Sequence, residues 1–274
     1  MLSFPNAKIN IGLNITGKRA DGYHDLETLF YPIPIKDALE IIEAENPGAD
    51  IIFSSSGNEV AGNEEDNLCV KAYRLLKKDF PAMPRVKMHL HKNIPMGAGL
   101  GGGSSDAAAV LLLLNKKFKL NISIEVLQKY ALSLGSDCPF FILNTPAMAT
   151  GRGEILKEVL LDLSSYKIMI VYPGIHVSTA KAFSELDKNS FSPAGRLEIV
   201  LREEISQWKN SIKNDFESSV FTEHPQLKEI RDKMYENKAL YSSMSGSGSS
   251  IYGIFPKDAV IDIKFPSHWF CQTV

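Results

Sequence analysis

The run Pro95-Met96-Gly97-Ala98-Gly99-Leu100-Gly101-Gly102-Gly103-Ser104-Ser105-Asp106 constrains this chain more than any other segment. Five of the seven residues from 97 to 103 are glycine. Glycine admits positive φ and carries no Cβ, so successive backbone N–H groups can converge on one anion. The preceding segment, Arg85 to His91, reads as a strand. The following one, AAAVLLLLNKKF, reads as a helix that is apolar nearly all round and therefore buried. A helix N-terminus adds unpaired N–H groups and a partial positive charge. Strand, glycine loop and helix N-terminus together make a phosphate cradle, with Ser104, Ser105 or Asp106 able to cap the helix.

Two better-known glycine loops are excluded. A P-loop needs Gly-Lys-Ser/Thr, and here Gly102 is followed by Gly103. The dinucleotide fingerprint G-x-G-x-x-G fits Gly97, Gly99 and Gly102, but it also needs an acid about 20 residues on, at the end of a second strand. The acid at that distance, Glu125, opens a helical stretch instead.

A length of 274 residues suits one large domain or two of ordinary size. The net charge of −2 provides no broad basic field, so neither nucleic acid nor an anionic membrane is an expected partner. A phosphate-rich ligand must be held locally, by amides and a few placed cations. Cys69, Cys138 and Cys271 match neither a disulfide framework nor a zinc pattern. The N-terminus lacks the pattern of a secretory signal, and the longest apolar run, Ala107 to Leu114, is less than half a membrane span. A cytoplasmic protein is expected.

Residues 7–15, AKINIGLNI, alternate as a strand, placing Lys8 and Asn10 on its polar face with Cα atoms roughly 6–7 Å apart. The turn ADGYH follows and carries Tyr23 and His24. Asp66-Asn67 opens a helix whose Leu68, Ala72 and Leu75 share a face. A helix over 124–134 stops at Gly135; Asp137, just beyond and before Pro139, reads on its own as an N-cap. Strand 167–173 and helices 195–209 and 225–238 follow, the last with Pro225 in its first turn. Ser245 to Ser250 is a second small-residue loop running into a strand, either a plain hairpin connection or a cover for a site. His89 and His91 share a strand face, but no third ligand is evident, so no metal site is expected. The pattern predicts two α+β domains, 1–150 and 151–274.

P-M-G-A-G-L-G-G-G-S-S-D-A-A resembles the phosphate motif of the galactokinase, homoserine kinase, mevalonate kinase and phosphomevalonate kinase superfamily. AKINIGLNITGKRADGYHDLETLF (7–30), LGSDCPFFI (134–142) and SGSGSSIYGIF (245–255) resemble its 4-diphosphocytidyl-2-C-methyl-D-erythritol kinase family, over nearly the whole chain. The resemblance implies an N-terminal ATP-binding α+β domain and a C-terminal ferredoxin-like domain, with the site between them. It implies ATP and Mg²⁺ as cosubstrates and a cytidine diphosphate-linked polyol as acceptor, phosphorylated on its 2-hydroxyl in the non-mevalonate isoprenoid pathway.

Residue by residue, the resemblance makes Asp137 the catalytic aspartate and Lys8 the cation beside it. Pro95 to Ser105 become the phosphate loop, Ser104 and Ser105 being either caps or phosphate and Mg²⁺ contacts. Asn67 and Lys92 fall near the adenosine, and Asn10 orients the polyol. Tyr23 and His24 grip the cytosine, and Phe183 stacks on it. A kinase of another small alcohol, such as homoserine, and a non-catalytic nucleotide-binding protein are the alternatives. The first needs no base clamp, and the second needs neither Asp137 nor Lys8.

Overall fold

The computed structural model describes residues 1–45, 48–60, 62–186 and 191–274. Along the chain come β1 (Leu2–Ser3), β2 (Asn6–Lys18), β3 (His24–Lys36), β4 (Ala38–Glu43), β5 (Ile51–Gly57), α1 (Leu68–Asp79) and β6 (Val86–Lys92). Next are α2 (Gly102–Lys117), α3 (Ile124–Leu134), α4 (Cys138–Leu143), β7 (Ala147–Thr150), β8 (Ile155–Glu158) and β9 (Tyr166–Tyr172). Last are α5 (Thr179–Ser184), α6 (Arg196–Val200), α7 (Ile205–Ser211), α8 (Glu217–Glu223), α9 (Pro225–Glu236), β10 (Tyr241–Met244), β11 (Ile251–Pro256) and β12 (Phe270–Thr273). The chain packs as two compact units. One comprises Met1–Ala7, Pro32–Met96 and Gly101–Thr145; the other comprises Lys8–Tyr31, Gly97–Leu100 and Pro146–Val274. The break after Thr145 falls near residue 150, while two earlier segments group with the later part of the chain.

In the first unit the sheet order is β1-β4-β6-β5, with β5 parallel to β6 and the other pairs antiparallel. β6 alternates strictly: Val86, Met88, Leu90 and Lys92 are buried, and Lys87, His89 and His91 are exposed. His89 and His91 hydrogen-bond the hydroxyls of Ser54 and Ser56 on β5. α2 packs on α1, α3, α4 and β4, which is why its Ala107, Ala108, Val110, Leu111 and Leu114 are fully buried and the sequence is apolar on every side. Its start differs from the sequence reading. Gly101 is the N-cap, at φ +70°, and Ser104, Ser105 and Asp106 lie inside the helix. A left-handed cap favours glycine, so the helix begins before any polar residue can cap it. In α1 the buried stripe is Cys69, Val70, Ala72, Tyr73 and Leu76; Leu68 and Leu75 only flank it. α3 stops at Gly135, as its sequence predicts.

In the second unit β2, β3, β7 and β8 form one sheet and β10-β11-β9-β12 another, the latter antiparallel throughout. Numbered along the chain, the latter has the strand order 4-1-3-2 of a ferredoxin-like βαββαβ unit. Its second crossover differs from that plan. Residues 257–269 carry no helix; Ala259, Ile261, Ile263 and Phe265 turn inward at alternate positions against the hydrophobic core. The helix expected over 195–209 is two helices, α6 and α7. The Trp208 indole donates to the Glu203 carbonyl, the group that residue 207 would engage in an unbroken helix. β2 is buried on both faces, so Lys8 and Asn10, each 3% exposed, do not form a solvated polar face. Gly12 on the same strand has φ +66°, and a Cβ there would lie 2.8 Å from both Ile212 and Leu197. Among the described residues no helix is long and apolar enough to cross a membrane.

The burial of α2 sets the first prediction. Leu111→Ala should lower unfolding free energy by about 2–5 kcal/mol, read from urea midpoints with an unchanged m-value.

Candidate active site

Three glycines of the phosphate loop use the freedom the sequence supplies: Gly97, Gly99 and Gly101 have φ of +64°, +77° and +70°. Ala98 and Leu100 between them are buried, 1% exposed each, so they contribute backbone alone. The carbonyls of residues 98–100 are held from one side. Ser250 N donates to Ala98 O at 3.1 Å, and Lys8 N to Leu100 O at 2.9 Å. Gly99 O accepts from Lys8 Nζ at 3.2 Å and from Ser245 Oγ at 2.8 Å. Gly99 is irreplaceable on geometry: a Cβ would lie 2.1 Å from Ser245 O. The loop then enters α2, whose first N–H groups have no intrahelical acceptor.

In the first unit a buried ion cluster brackets this loop in sequence. Lys92 Nζ donates to Asp37 Oδ2 and, at 2.8 Å, to Asp106 Oδ2 on α2. Asp37 Oδ1 accepts from the amides of Asn93 and Ile94 at 2.6 and 2.8 Å. Lys92 is 1% exposed, so it is no surface lysine. Burial opposes its charge, but the two carboxylates raise its pKa overall. Asp106 is pushed up to about 7, by burial first and by the Asp37 charge next, against the pull of Lys92. Its Oδ1 is buried without a hydrogen-bond partner. A small cavity of about 120 Å³ adjoins the cluster, lined by Asn67, Leu68, Leu90, Lys92, Met96 and Gly103 among others. Asn67 Oδ1 is committed to capping α1, accepting from Cys69 N at 2.8 Å. The structure thus brings Asn67, Lys92, Met96 and the start of α2 around one space.

Asp137 occupies the N-cap position of α4, half-buried, with no capping hydrogen bond from its side chain to the helix. The cap that the isolated sequence suggests is therefore not the use of this carboxylate. Ser104 pairs with the neighbouring Cys138 thiol, which burial pushes up to about 12. Ser105 is buried at 3% exposure.

In the second unit Lys8 and Asn10 form one network. Lys8 Nζ donates to Asn10 Oδ1 at 2.5 Å and lies 5.0 Å from the Phe30 ring centre. Asn10 N donates to Ser245 Oγ at 3.1 Å, and Tyr252 OH donates to Asn10 O at 2.9 Å. The loop at 245–250 joins β10 to β11 and also packs against residues 98 and 99, so it is more than a hairpin connection. His24 stacks on Phe183, ring centres 5.1 Å apart and planes 14° apart, and Phe183 meets Phe216 edge-on at 4.8 Å. Burial, then the Lys18 charge, lowers the His24 pKa, favouring the neutral ring with one donor and one acceptor. Tyr23 is 56% exposed, with the Arg152 guanidinium 4.7 Å over its ring.

Sequence reasoning missed Asp37, Asp106 as an ion partner and Thr28, and it named the 245–250 loop without the contacts of Ser245. Asp106 stood inside the glycine motif and could have been flagged as a charge at the start of an apolar helix. Asp37 lies in unremarkable strand-edge sequence, and Thr28, though inside the 7–30 segment, has no local signal that sets it apart.

Family models match residues 67–145, described as the GHMP kinases N terminal domain, and 197–265, described as GHMP kinases C terminal. With the two-domain α+β fold and glycine loop, these define the class: an ATP-dependent small-molecule kinase. The chain is 48% identical to the 4-diphosphocytidyl-2-C-methyl-D-erythritol kinase of Bacteroides fragilis (strain YCH46), covering 100% of this chain and 99% of that one. A crystal structure of 4-(cytidine 5'-diphospho)-2C-methyl-D-erythritol kinase superposes with a TM-score of 0.80 at 33% identity, over 93% of this chain and 90% of the other. Homoserine kinase from Cytophaga hutchinsonii gives a TM-score of 0.70 at 15% identity, over 92% and 85%, a likeness of fold alone. The chain belongs to the GHMP kinases, in their 4-diphosphocytidyl-2-C-methyl-D-erythritol kinase family.

The Asp106 environment makes a pH prediction. In the folded chain burial and the Asp37 charge raise the pKa at which Asp106 gives up its proton, to about 7. In the unfolded chain it loses it near ~3.9. Between those values the folded state binds more protons, so stability falls as pH rises across this window. Asp106→Asn should remove that fall. Urea midpoints measured from pH 4.5 to 8 should show the variant gaining on wild type up to about pH 7 and then running parallel; curves parallel throughout would refute the assignment.

Proposed function

We propose that this kinase transfers the γ-phosphate of ATP to the 2-hydroxyl of 4-diphosphocytidyl-2-C-methyl-D-erythritol, as the names of its full-length relatives suggest. One observation carries the phosphoryl-transfer reading: the desolvated Lys8 ammonium is tied to the Gly99 carbonyl inside the glycine loop. A fixed cation at an anion cradle acts where charge develops during transfer, and it needs no reorganisation to do so. The amides of residues 97–104 take the ATP phosphates. Asp137 orients the acceptor hydroxyl and receives its proton. A loose transition state depends more on alignment than on early deprotonation, so orienting the hydroxyl is the larger part of that role.

Tyr23, His24 and Phe183 hold the cytosine: stacking is base-tolerant, so the neutral His24 ring supplies hydrogen-bond selectivity. Asn10 orients the polyol. Lys92, spent on two carboxylates, serves the nucleotide by holding the loop, while Asn67 lines the adenosine space. Mg²⁺, when bound, would supply positive charge against the ATP phosphates. Ser104, half-exposed, would be this chain's contribution to holding it; no cluster of three His, Cys, Asp or Glu side chains occurs among the described residues. The enzyme acts in the cytoplasm, in isoprenoid precursor synthesis, on a small-molecule substrate, with neither nucleic acid nor membrane as partner.

The test is ADP release with Mg·ATP and diphosphocytidyl-methylerythritol. Wild type should turn over only with the acceptor present, and Asp137→Asn should lose about 10²–10⁴-fold in kcat. Acceptor-independent or absent turnover would overturn the substrate assignment; an unimpaired variant would overturn the role of Asp137 alone.

A further inference from the structure

The Lys8 ammonium is aimed by a chain of hydrogen bonds that begins two residues beyond Asn10 on the same strand. Gly12, held at φ +66°, turns its carbonyl to the Thr28 hydroxyl, which donates to it at 2.5 Å. A hydroxyl has one proton. With that proton spent, Thr28 Oγ1 shows only lone pairs to its other neighbour, Asn10 Nδ2, which donates to it at 3.0 Å. The amide of asparagine has nearly the same shape in either orientation, so its direction is fixed by partners rather than by packing. Reversed, it would set its oxygen against the Thr28 lone pairs and its NH₂ against the Lys8 ammonium. Both contacts are repulsive, and both are buried: Lys8 and Asn10 are 3% exposed and Thr28 is 1% exposed. The Asn10 backbone is already pinned by Ser245 and Tyr252, which leaves the side-chain torsion as the remaining freedom.

We propose that Thr28 is a positioning residue for phosphoryl transfer: its hydroxyl locks the Asn10 amide with Oδ1 toward Lys8, and so sets where the Lys8 charge points. Thr28 acts through Asn10 rather than on the substrate. The inference rests on the proposed role of Lys8, so the test separates the two.

Steady-state kinetics on full-length wild type, Thr28→Val, Thr28→Ser, Asn10→Ala, the Thr28→Val/Asn10→Ala double variant and Lys8→Met is the experiment. Thr28→Val keeps shape but loses the hydroxyl, and kcat should fall about tenfold or more, the scale of one hydrogen bond to a charged group. KM for ATP should stay within about twofold, since ground-state binding is untouched. Thr28→Ser should recover most of kcat. On the Asn10→Ala background Thr28→Val should cost less than about twofold more, because residues acting as a unit are not additive. A merely structural threonine would instead add its full effect there, which would overturn the proposal. So would an unimpaired Thr28→Val beside an inactive Lys8→Met. A fully active Lys8→Met would remove the role of Lys8 itself. The same cycle read in unfolding free energy would then decide the amide lock, coupling supporting it and additivity overturning it.

Discussion

The structure depends first on one buried ammonium. Lys92 stands between Asp37 and Asp106 at the end of β6, with almost no exposure to water. Removing one partner from a buried pair costs about 3–5 kcal/mol, while replacing the whole set by apolar groups is often neutral. Such a cluster is therefore poorly explained as a source of stability. Its position explains it better. Asp37 also holds the amides of Asn93 and Ile94, where the glycine loop begins, and Asp106 lies within α2, where the loop has ended. Between them lies a run of glycines with more conformational freedom than any other residue type. The cluster thus fixes the backbone of the first unit on either side of the glycine run in sequence.

Residues 97–100, in the second unit, are fixed differently. Carbonyls 98–100 are taken by Lys8, Ser245 and Ser250, so the loop is held by groups drawn from both ends of the sequence. Gly99 fits so closely beneath Ser245 that no side chain can intervene. The fold alone does not specify the reaction. Homoserine kinase shares it at 15% identity, and function resides in the groups grafted onto it. Here the second unit carries the stacked His24–Phe183 pair and the Lys8–Asn10 network.

What was legible in the sequence was local. The strand at 7–15, the glycine loop, the apolar helix after it, the stop at Gly135 and the helix opening at Pro225 all rest on periodicity or on special backbone residues. What was not legible depends on partners far along the chain. Alternation in β2 suggests a wet polar face, yet Asn10 meets Ser245 and Tyr252, more than 230 residues away (|i−j| of 235 and 242). Lys92 looks like any strand-end lysine until Asp37 and Asp106 are placed around it. The break between α6 and α7 turns on where the Trp208 indole finds an acceptor. Asp137 was ambiguous by itself, because a helix-capping aspartate and a catalytic one share the same local sequence.

The helix-less crossover between β11 and β12 has a consequence of another kind. A helix satisfies its own backbone, whereas an extended strap must find outside partners. This one is tied by Lys167 to the Ala259 carbonyl and by Lys233 to the Lys264 carbonyl, and it covers the core with only every second side chain. The β9, β10 and β11 pairings use none of its residues, so its opening would bare apolar surface and leave those ladders whole. A cover tied in this way opens at lower cost than the strand ladders beside it, and local unfolding draws on such segments first.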